Sequence, residues 1–245
     1  MSVIDSPTTP TPLKYSPSLW LDATDTSTIT SSGGSVSAWR DKSGNGNHSV
    51  QATGSLQPSI GTGINGLQTI DGDGTNYLNI PDSAVLRATM GLQITYMIFV
   101  VYRPTAFGAS TNAVYNFTDD ANSGLHLLRA RSIDTAVESW MSGGSFNPTI
   151  GGGGTIPVNI LCRAYRFGTG ASQANFLING SSTDLTRSVS GLTYTSLDID
   201  IMSRNGTVPF NGSIGEMIFY NTYNADALTD VLYYLSNKWG IIALS

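Results

Sequence analysis

The sequence predicts an all-β protein, a two-sheet antiparallel sandwich that carries one C-terminal helix. Composition is the first indication: 27 of the 245 residues are Gly and only 12% are charged, whereas 40% are hydrophobic. Such a chain can bury a sizeable core, and its Gly content favours turns over helices. A series of short apolar or alternating runs separated by Gly, Asn and Asp is typical of sandwiches and barrels. A single segment near the C-terminus has helical spacing.

The N-terminal segment differs in composition from the rest of the chain. Residues 1–17 hold Pro7, Pro10 and Pro12 among Ser and Thr residues. This composition favours an extended arm with little core of its own. We therefore expect two parts, an arm over residues 1–17 and a sandwich domain over residues 18–245. The three prolines are the candidate residues for docking on a partner protein.

The predicted strands follow one another along the domain. A solid apolar run at 96–102 indicates a central strand buried on both faces, because a strand with one wet face would alternate. The run at 197–203 does alternate, which places Asp198 and Asp200 on an outward polar face. In chain order, strands are predicted at 19–23, 36–40, 67–71, 77–80, 95–103, 113–117, 125–131, 136–141, 158–167, 174–180, 197–203 and 213–221.

The helix is predicted over residues 225–240. Asn224 or Asp226 can cap its start, and Gly240 can end it. Lys238 suits the negative end of the helix dipole. We expect the helix to pack on the sandwich through the residues that recur at helical intervals, Leu228, Val231, Leu232, Leu235 and Trp239.

Charge and cysteine usage narrow the classes of partner. The formal net charge is −5, and the 12 Lys and Arg residues are spread singly along the chain. Nucleic acid and anionic membrane surfaces require a basic patch, so neither is an expected partner. The most apolar run, 94–102, is too short to span a membrane. Cys162 is the single cysteine, which excludes an internal disulfide and a cysteine-based zinc site.

Motifs for catalysis are sparse, and no catalytic residue is assigned. A G-x-G-x-x-G pattern at 61–66 precedes a predicted strand instead of a helix, so it does not indicate a phosphate site. His48 and His126 are the two histidines, and no G-x-S-x-G motif accompanies them. Asp198 and Asp200 form the one carboxylate pair with strand spacing, which an outward polar face also explains. We therefore expect a protein that is not an enzyme.

Two acidic segments carry side chains that could bind Ca²⁺, which is the one cofactor that we consider. Asp119, Asp120 and Asn122 cluster carboxylate and amide oxygens, which are ligands that Ca²⁺ prefers, on a predicted loop. A solvated turn is the alternative interpretation of this cluster. The segment 71–76, DGDGTN, resembles the opening of a calcium loop, but a hairpin turn between two strands is favoured because the bidentate Glu is missing.

Carbohydrate is the ligand that the remaining surface chemistry suits. Aromatic side chains can stack on a sugar face, and Arg, Asn and Asp can bind its hydroxyl groups. Trp140 precedes the loop SGGSFN, and Tyr165 lies between Arg163 and Arg166. Ordinary packing is the alternative interpretation of both aromatic residues. The candidate sugar-binding residues are Trp140, Tyr165, Arg129, Arg131 and Arg163.

Seven blocks of the sequence, from LWLDATD at 19–25 to YLSNKWGI at 234–241, resemble LamG-like jelly-roll domains of the concanavalin A-like lectin and glucanase superfamily. The resemblance covers residues 18–242 in the right order, which implies a jelly roll. The glucanases' paired acidic motif is not found, which argues against hydrolysis. The blocks are LWLDATD at 19–25, VSAWRDKSGNGNH at 36–48, GINGLQTIDGDGTNYL at 63–78, IFVVYRP at 98–104, FLING at 176–180, FNGSIGEMIFYN at 210–221 and YLSNKWGI at 234–241.

Relatives of this kind are often segments of secreted or virion proteins, whereas this chain starts at Met1 without a signal peptide. The leading hypothesis is a phage virion protein, a capsid decoration or short fibre that is made in the host cytoplasm. Its arm would contact other virion proteins and its jelly roll would bind host-surface glycan, in an expected homo-oligomer. A free carbohydrate-binding module and a glycoside hydrolase are the alternatives.

Overall fold

The computed structural model describes residues 10–90, 95–105, 112–118, 124–130, 137–141, 144–146, 160–167, 170–179, 185–189 and 194–241. These ranges contain mainly antiparallel strands and two α-helices, α1 (Ala84–Met90) and α2 (Ala225–Trp239). The strands are β1 (Leu19–Asp22), β2 (Ile29–Ser32), β3 (Ser35–Trp39), β4 (Ser49–Val50), β5 (Ser59–Ile64), β6 (Leu67–Asp73), β7 (Leu78–Ile80), β8 (Thr95–Pro104), β9 (Asn112–Thr118), β10 (Gly124–Ala130), β11 (Val137–Met141), β12 (Gly144–Phe146), β13 (Ile160–Phe167), β14 (Gly170–Ile178), β15 (Leu185–Val189), β16 (Asp198–Ile201) and β17 (Asn211–Tyr220).

The first sheet is built around β17. β8 pairs along one side of β17, and the other side is shared between β1 and β6. Beyond β8 follow β13, β14 and β15, and β5 pairs with the outer side of β6. The register of β17 against β8 shifts between Ile214 and Glu216. Such a bulge, at Gly215, bends the strand next to Glu216.

The second sheet has β16 near its middle. β7 and β9 pair with the two sides of β16, and β4 and β3 continue the sheet beyond β7. On the other side, β10, β11 and β12 follow β9. β2 pairs with β3, and a single pairing of Ser35 with Ser59 joins the two sheets at one edge. The predicted all-β sandwich is confirmed by this arrangement.

Two apolar cores lie on the two faces of the first sheet. β8 contributes Tyr96, Ile98, Val100 and Tyr102 to the inner core between the sheets. Its alternate residues Met97, Phe99 and Val101 belong to an outer core beneath α2. Because both faces of β8 meet apolar neighbours, its sequence shows a solid apolar run instead of alternation. The predicted double burial of this strand is confirmed.

α2 covers the outer core, as predicted. The Asn224 side chain accepts a hydrogen bond from the backbone N–H of Ala227 at 3.0 Å, and Gly240 ends the helix with φ +61°. Trp239 is fully buried against the sheet. α1 was not predicted, because seven residues are too few to show a helical period. Within the described ranges, neither α-helix is long and apolar enough to cross a membrane.

Several strands have no pattern in the sequence that predicts them. β2, β4, β5, β12 and β15 are short or rich in Gly, Ser and Thr, and the β2 residues are mostly exposed. Their strand conformation depends on partners that lie elsewhere in the chain. The predicted hairpin at 71–76 is wrong, because β6 pairs within the first sheet and β7 pairs within the second. This segment instead carries the chain from one sheet to the other.

The described end of the predicted arm lies against the domain. Residues Pro12–Tyr15 form a 3₁₀ helix, and Pro12 is buried. The Tyr220 hydroxyl donates to the Pro12 carbonyl at 3.0 Å, and the Asp230 carboxylate accepts from Lys14 at 2.7 Å. Pro12 therefore has its contacts within the chain, and Pro10 is half-buried. Pro7 lies outside the described residues, and docking by the arm stays a prediction.

Candidate functional site

Two groups of polar side chains are each built around a buried carboxylate, and they differ in their hydrogen bonding. One group, which we call the clamp, comprises Asp22, Lys42, Glu216 and Lys238 between the first sheet and α2. The other, which we call the polar row, comprises Asn79, Asp200 and Asn116 on the second sheet. A buried polar group requires a partner or a function, so both groups are candidates for the site.

Glu216 is the centre of the clamp and is fully buried. Its Oε1 accepts hydrogen bonds from Trp20 Nε1 at 2.7 Å and from the Tyr234 hydroxyl at 2.9 Å. Its Oε2 accepts from Lys238 Nζ at 2.7 Å and from Trp239 Nε1 at 2.8 Å. A carboxylate has about four acceptor positions, so the capacity of Glu216 is used within the protein.

The clamp continues through Asp22. Lys238 Nζ donates to Asp22 Oδ1 at 2.7 Å, and Lys42 Nζ donates to Asp22 Oδ2 at 2.9 Å. Burial raises the pKa of the Glu216 carboxyl, Lys238 opposes this effect and Asp22 adds to it. Burial also acts to raise the pKa of Asp22, but Lys238, Thr24 and Lys42 together lower it. The clamp therefore joins α2 to the sheet by paired charges.

The polar row follows the register of three neighbouring strands. Asp200 of β16 lies opposite Asn79 of β7 on one side and opposite Asn116 of β9 on the other. The flanking residues Ile199 and Ile201 belong to the inner core. Because successive side chains of a strand point to opposite faces, the polar row lies on the outer face of the second sheet.

Asp200 is 6% exposed, and its two described donors are uncharged. Its Oδ1 accepts from Asn79 Nδ2 at 3.0 Å, and its Oδ2 accepts from the backbone N–H of Asn205 at 2.6 Å. Burial raises the pKa of Asp200, the two hydrogen bonds oppose this effect, and the charge of Asp198 adds to it. The predicted outward face is thus correct, and Asp200 is nevertheless buried there.

Asn116 is fully buried, and its side-chain oxygen Oδ1 has no hydrogen-bond partner in the described part of the chain. Its Nδ2 contacts Asn205 Oδ1 at 3.5 Å. A buried acceptor without a partner costs about 1–3 kcal/mol. The polar row therefore combines a partly unused carboxylate with an unused amide oxygen.

Backbone register connects the polar row to a predicted sugar-binding residue. Asn116 pairs with Leu127 of β10, and Leu127 pairs with Trp140 of β11. Residues that lie directly opposite each other in antiparallel strands belong to the same face of a sheet. Trp140 therefore occupies a position in line with Asn116 and Asp200.

The other predicted site residues are not brought into one place by the described backbone. Arg129 lies in β10 of the second sheet, whereas Arg163 and Tyr165 lie in β13 of the first. Their side chains, like that of Trp140, are outside the described part. Arg131 and the candidate calcium ligands Asp119, Asp120 and Asn122 lie outside the described residues, and those assignments stay predictions. In the described part, no group of three or more His, Cys, Asp or Glu residues could hold a metal.

A polar hollow of about 270 Å³ lies beside the SGNGN turn. Its lining includes Ser18, Ser43, Asn45 and Thr89. Asn45 Nδ2 donates to the carbonyls of Pro17 and Ser18, both at 3.1 Å. Because these groups bond one another, the hollow is a weaker candidate than the polar row.

Sequence reasoning singled out Asp200 and Trp140 but missed the amides beside them. Asn79, Asn116 and Asn205 are far apart in the chain and have no recognisable spacing. The clamp was also missed, although one signal was present: Glu216 is an isolated acid inside an apolar run of β17. A charge in such a run predicts a buried partner.

Comparisons with known proteins place the fold among sugar-processing and binding proteins. Trypanosoma rangeli sialidase in complex with 2,3-difluoro-KDN has a TM-score of 0.63 and 12% identity over 96% of this chain and 36% of that chain. Domain 4 of AbnA, a GH43 extracellular arabinanase from Geobacillus stearothermophilus, in complex with arabinotriose, has a TM-score of 0.56 and 14% identity over 88% of this chain and 97% of that chain. The binding domain of botulinum neurotoxin DC, in complex with rat synaptotagmin II, has a TM-score of 0.60 and 11% identity over 89% of this chain and 51% of that chain.

This chain thus spans about a third of the sialidase chain but nearly all of the arabinanase domain. No protein-family model and no curated protein matched the sequence. At these identities the likeness concerns the fold alone. The chain has the β-sandwich architecture that also occurs in glycosidases and in lectin-type binding domains.

Proposed function

We propose that this domain is a carbohydrate-binding module without catalytic activity, and that the polar row is its sugar-binding site. The observation that carries the proposal is the unpartnered, fully buried Asn116 Oδ1 beside the Asp200 carboxylate. Both groups accept hydrogen bonds, and neighbouring hydroxyl groups of a sugar supply donors to such a pair.

Two residues beside Asp200 and Asn116 form the accessible edge of the proposed site. Asn79 is half-buried, and Asn205, whose backbone holds Asp200, is exposed. A sugar that contacts these two amides would reach the slightly exposed Asp200 and would reach the fully buried Asn116 through an ordered water. Backbone register places Trp140 in line with the row, and an aromatic residue type at this position suits stacking on a sugar. The AbnA domain, which is in complex with arabinotriose, matches this chain over nearly its whole length and supports the proposal.

Binding without hydrolysis is proposed because the described acids are unsuited to glycoside cleavage. Cleavage usually requires two carboxyl groups that face each other across about 5 to 9.5 Å, one of them free to transfer a proton. Glu216 has four donors and lies beneath α2. Asp198, the neighbour of Asp200 on β16, accepts from the backbone N–H of Asp82 at 3.1 Å.

The test is calorimetric titration of the protein with neutral oligosaccharides, arabinotriose first. Asp200→Asn should weaken binding by roughly 10- to 100-fold, since a hydrogen bond to a charged group contributes about 1.5–3 kcal/mol. Asn116→Ala removes a neutral acceptor, worth about 0.5–1.5 kcal/mol, and should weaken binding by roughly 2- to 10-fold. Asp226→Asn, the same chemical change at an exposed position at the start of α2, is the matched control and should leave affinity unchanged. Circular dichroism checks that each variant is folded. Failure of the wild type to bind a panel of neutral oligosaccharides, or equal affinity in all variants, would refute the proposal.

A more specific hypothesis concerns the larger assembly that carries the module. A virion decoration or short-fibre protein that displays the module toward host-surface glycan is a proposal supported by the sequence pattern alone. Particles assembled with a chain that lacks residues 1–17 should lose the protein if the arm docks on other virion proteins. Unchanged occupancy of the particle would contradict this hypothesis.

A further inference from the structure

We infer that the polar row selects neutral sugars and discriminates against sugars that carry a carboxylate, such as uronic and sialic acids. This inference rests on the proposed sugar-binding function and specifies its ligand class. It follows from the balance of donors, acceptors and charges among the described residues of the second sheet.

Each described donor nitrogen of the polar row makes one contact within the row. Asn79 Nδ2 and the backbone N–H of Asn205 both donate to Asp200. Asn116 Nδ2 points to the Asn205 side-chain oxygen. Among the described residues, unused acceptor capacity lies on the Asp200 carboxylate and on Asn116 Oδ1. A neutral sugar brings hydroxyl donors to these oxygens, whereas a carboxylate brings further acceptors.

The two carboxylates that β16 places at the row both carry negative charge. Asp198 and Asp200 are two residues apart on β16 and therefore lie on the same face of the sheet. Asp82, whose backbone bonds Asp198, pairs its own carboxylate with Arg87. Within the described ranges, no comparable ion pair joins Asp198 or Asp200 to a cation. A bound carboxylate would therefore meet a partly buried like charge, which screening by salt reduces little.

Like charges about 4–6 Å apart near a protein surface repel strongly enough to weaken binding by tenfold or more. We therefore expect the wild type to bind a neutral sugar at least about tenfold more tightly than its acidic counterpart. The Asp200→Asn variant removes the charge and keeps the size of the side chain. Its preference for the neutral member of a pair should shrink to less than about threefold.

The experiment measures affinity for matched pairs of glycans, digalactose with digalacturonate and lactose with 3′-sialyllactose. Wild type, Asp200→Asn and the control Asp226→Asn are compared at one ionic strength, and the control should keep the wild-type preference. Equal binding of neutral and acidic members by the wild type overturns this inference while the proposed function stands. An unchanged preference in Asp200→Asn also overturns it. Absence of binding to every glycan refutes the proposed function itself, and the inference with it.

Discussion

The clamp and the polar row each place a carboxylate at a buried position on a strand, but the two carboxylates have different surroundings. Glu216 accepts four hydrogen bonds, one of them from Lys238. Asp200 accepts two described hydrogen bonds, both from uncharged groups, and lies next to the unpartnered oxygen of Asn116. A buried acid by itself therefore does not mark a binding site. Acceptor capacity that the fold leaves unused is the more informative feature.

The positions of the two groups explain this difference. The clamp lies where α2 closes over the first sheet, and Trp20 and Trp239 donate to Glu216 from both elements. A charge in such a place is tolerated when it is paired and hydrogen-bonded. The polar row lies on the outer face of the second sheet, where Asn79 and Asn205 are partly accessible. The hydrogen-bonding capacity of Glu216 is used within the fold, whereas the polar row keeps an unpartnered acceptor, which is why we propose the row as the ligand site.

Removal of the Glu216 carboxylate should produce the largest change in stability. Glu216→Ala removes the acceptor of four hydrogen bonds and leaves Asp22 as the one described anionic partner of Lys238, so we expect a loss of about 3–5 kcal/mol in the free energy of unfolding. Urea denaturation followed by fluorescence measures it. Glu216→Gln keeps the volume and should lose less. A loss below about 1 kcal/mol in Glu216→Ala would show that the clamp is not structural.

A smaller effect is expected in the pH dependence of stability at Asp200. Because burial raises its pKa in the folded state, the folded protein holds this proton more tightly than the unfolded chain does. The contribution of this proton to the free energy of unfolding is fully present below the unfolded-state pKa of Asp, about 3.9. It is lost as the pH rises through the folded-state pKa of Asp200. The wild type should therefore lose stability relative to Asp200→Asn over this interval.

Denaturation curves for the wild type and Asp200→Asn, measured from pH 3.5 to 7.5, test this expectation. The lost hydrogen bonds of the variant contribute an offset that is the same at every pH, so the difference between the two curves reports the ionisation of Asp200. Parallel stability profiles would mean that burial does not perturb this carboxyl group, and the contrast with the clamp would fail.

The smallest effect is expected at an exposed ion pair. Lys14 and Asp230 approach to 2.7 Å, but the Lys14 side chain is 57% exposed. Such pairs often contribute nothing measurable to stability. Lys14→Ala should leave the urea midpoint unchanged under the conditions used for Glu216→Ala. A midpoint shift that equals the shift in Glu216→Ala would show that burial is not what distinguishes the clamp.

The parts of the fold that could be predicted are those with a strong local pattern. β8 is a solid apolar run, and α2 combines helical spacing with a side-chain cap at Asn224 and a left-handed Gly240. β5 could not be predicted, because SIGTGI is mostly exposed and takes its conformation from β6. The crossing at 71–76 was mistaken for a hairpin because turn residues do not specify which strand follows in the same sheet.

The candidate site, like the fold, could be predicted from the sequence only where a local pattern was present. Alternation along β16 placed Asp200 on the outward face, since side-chain direction in a strand has a period of two residues. Its burial and its neighbours Asn79 and Asn116 come from strands more than eighty residues away in the chain, about 121 and 84 positions respectively. No spacing within the sequence relates these three residues to one another.

Local periodicity and composition were thus sufficient for an all-β sandwich with a terminal helix, because period and turn chemistry act between neighbours in the chain. The clamp and the polar row depended on the tertiary structure. Strand register decides which distant side chains meet, and burial decides whether a carboxylate that they surround is saturated or still able to accept a hydrogen bond.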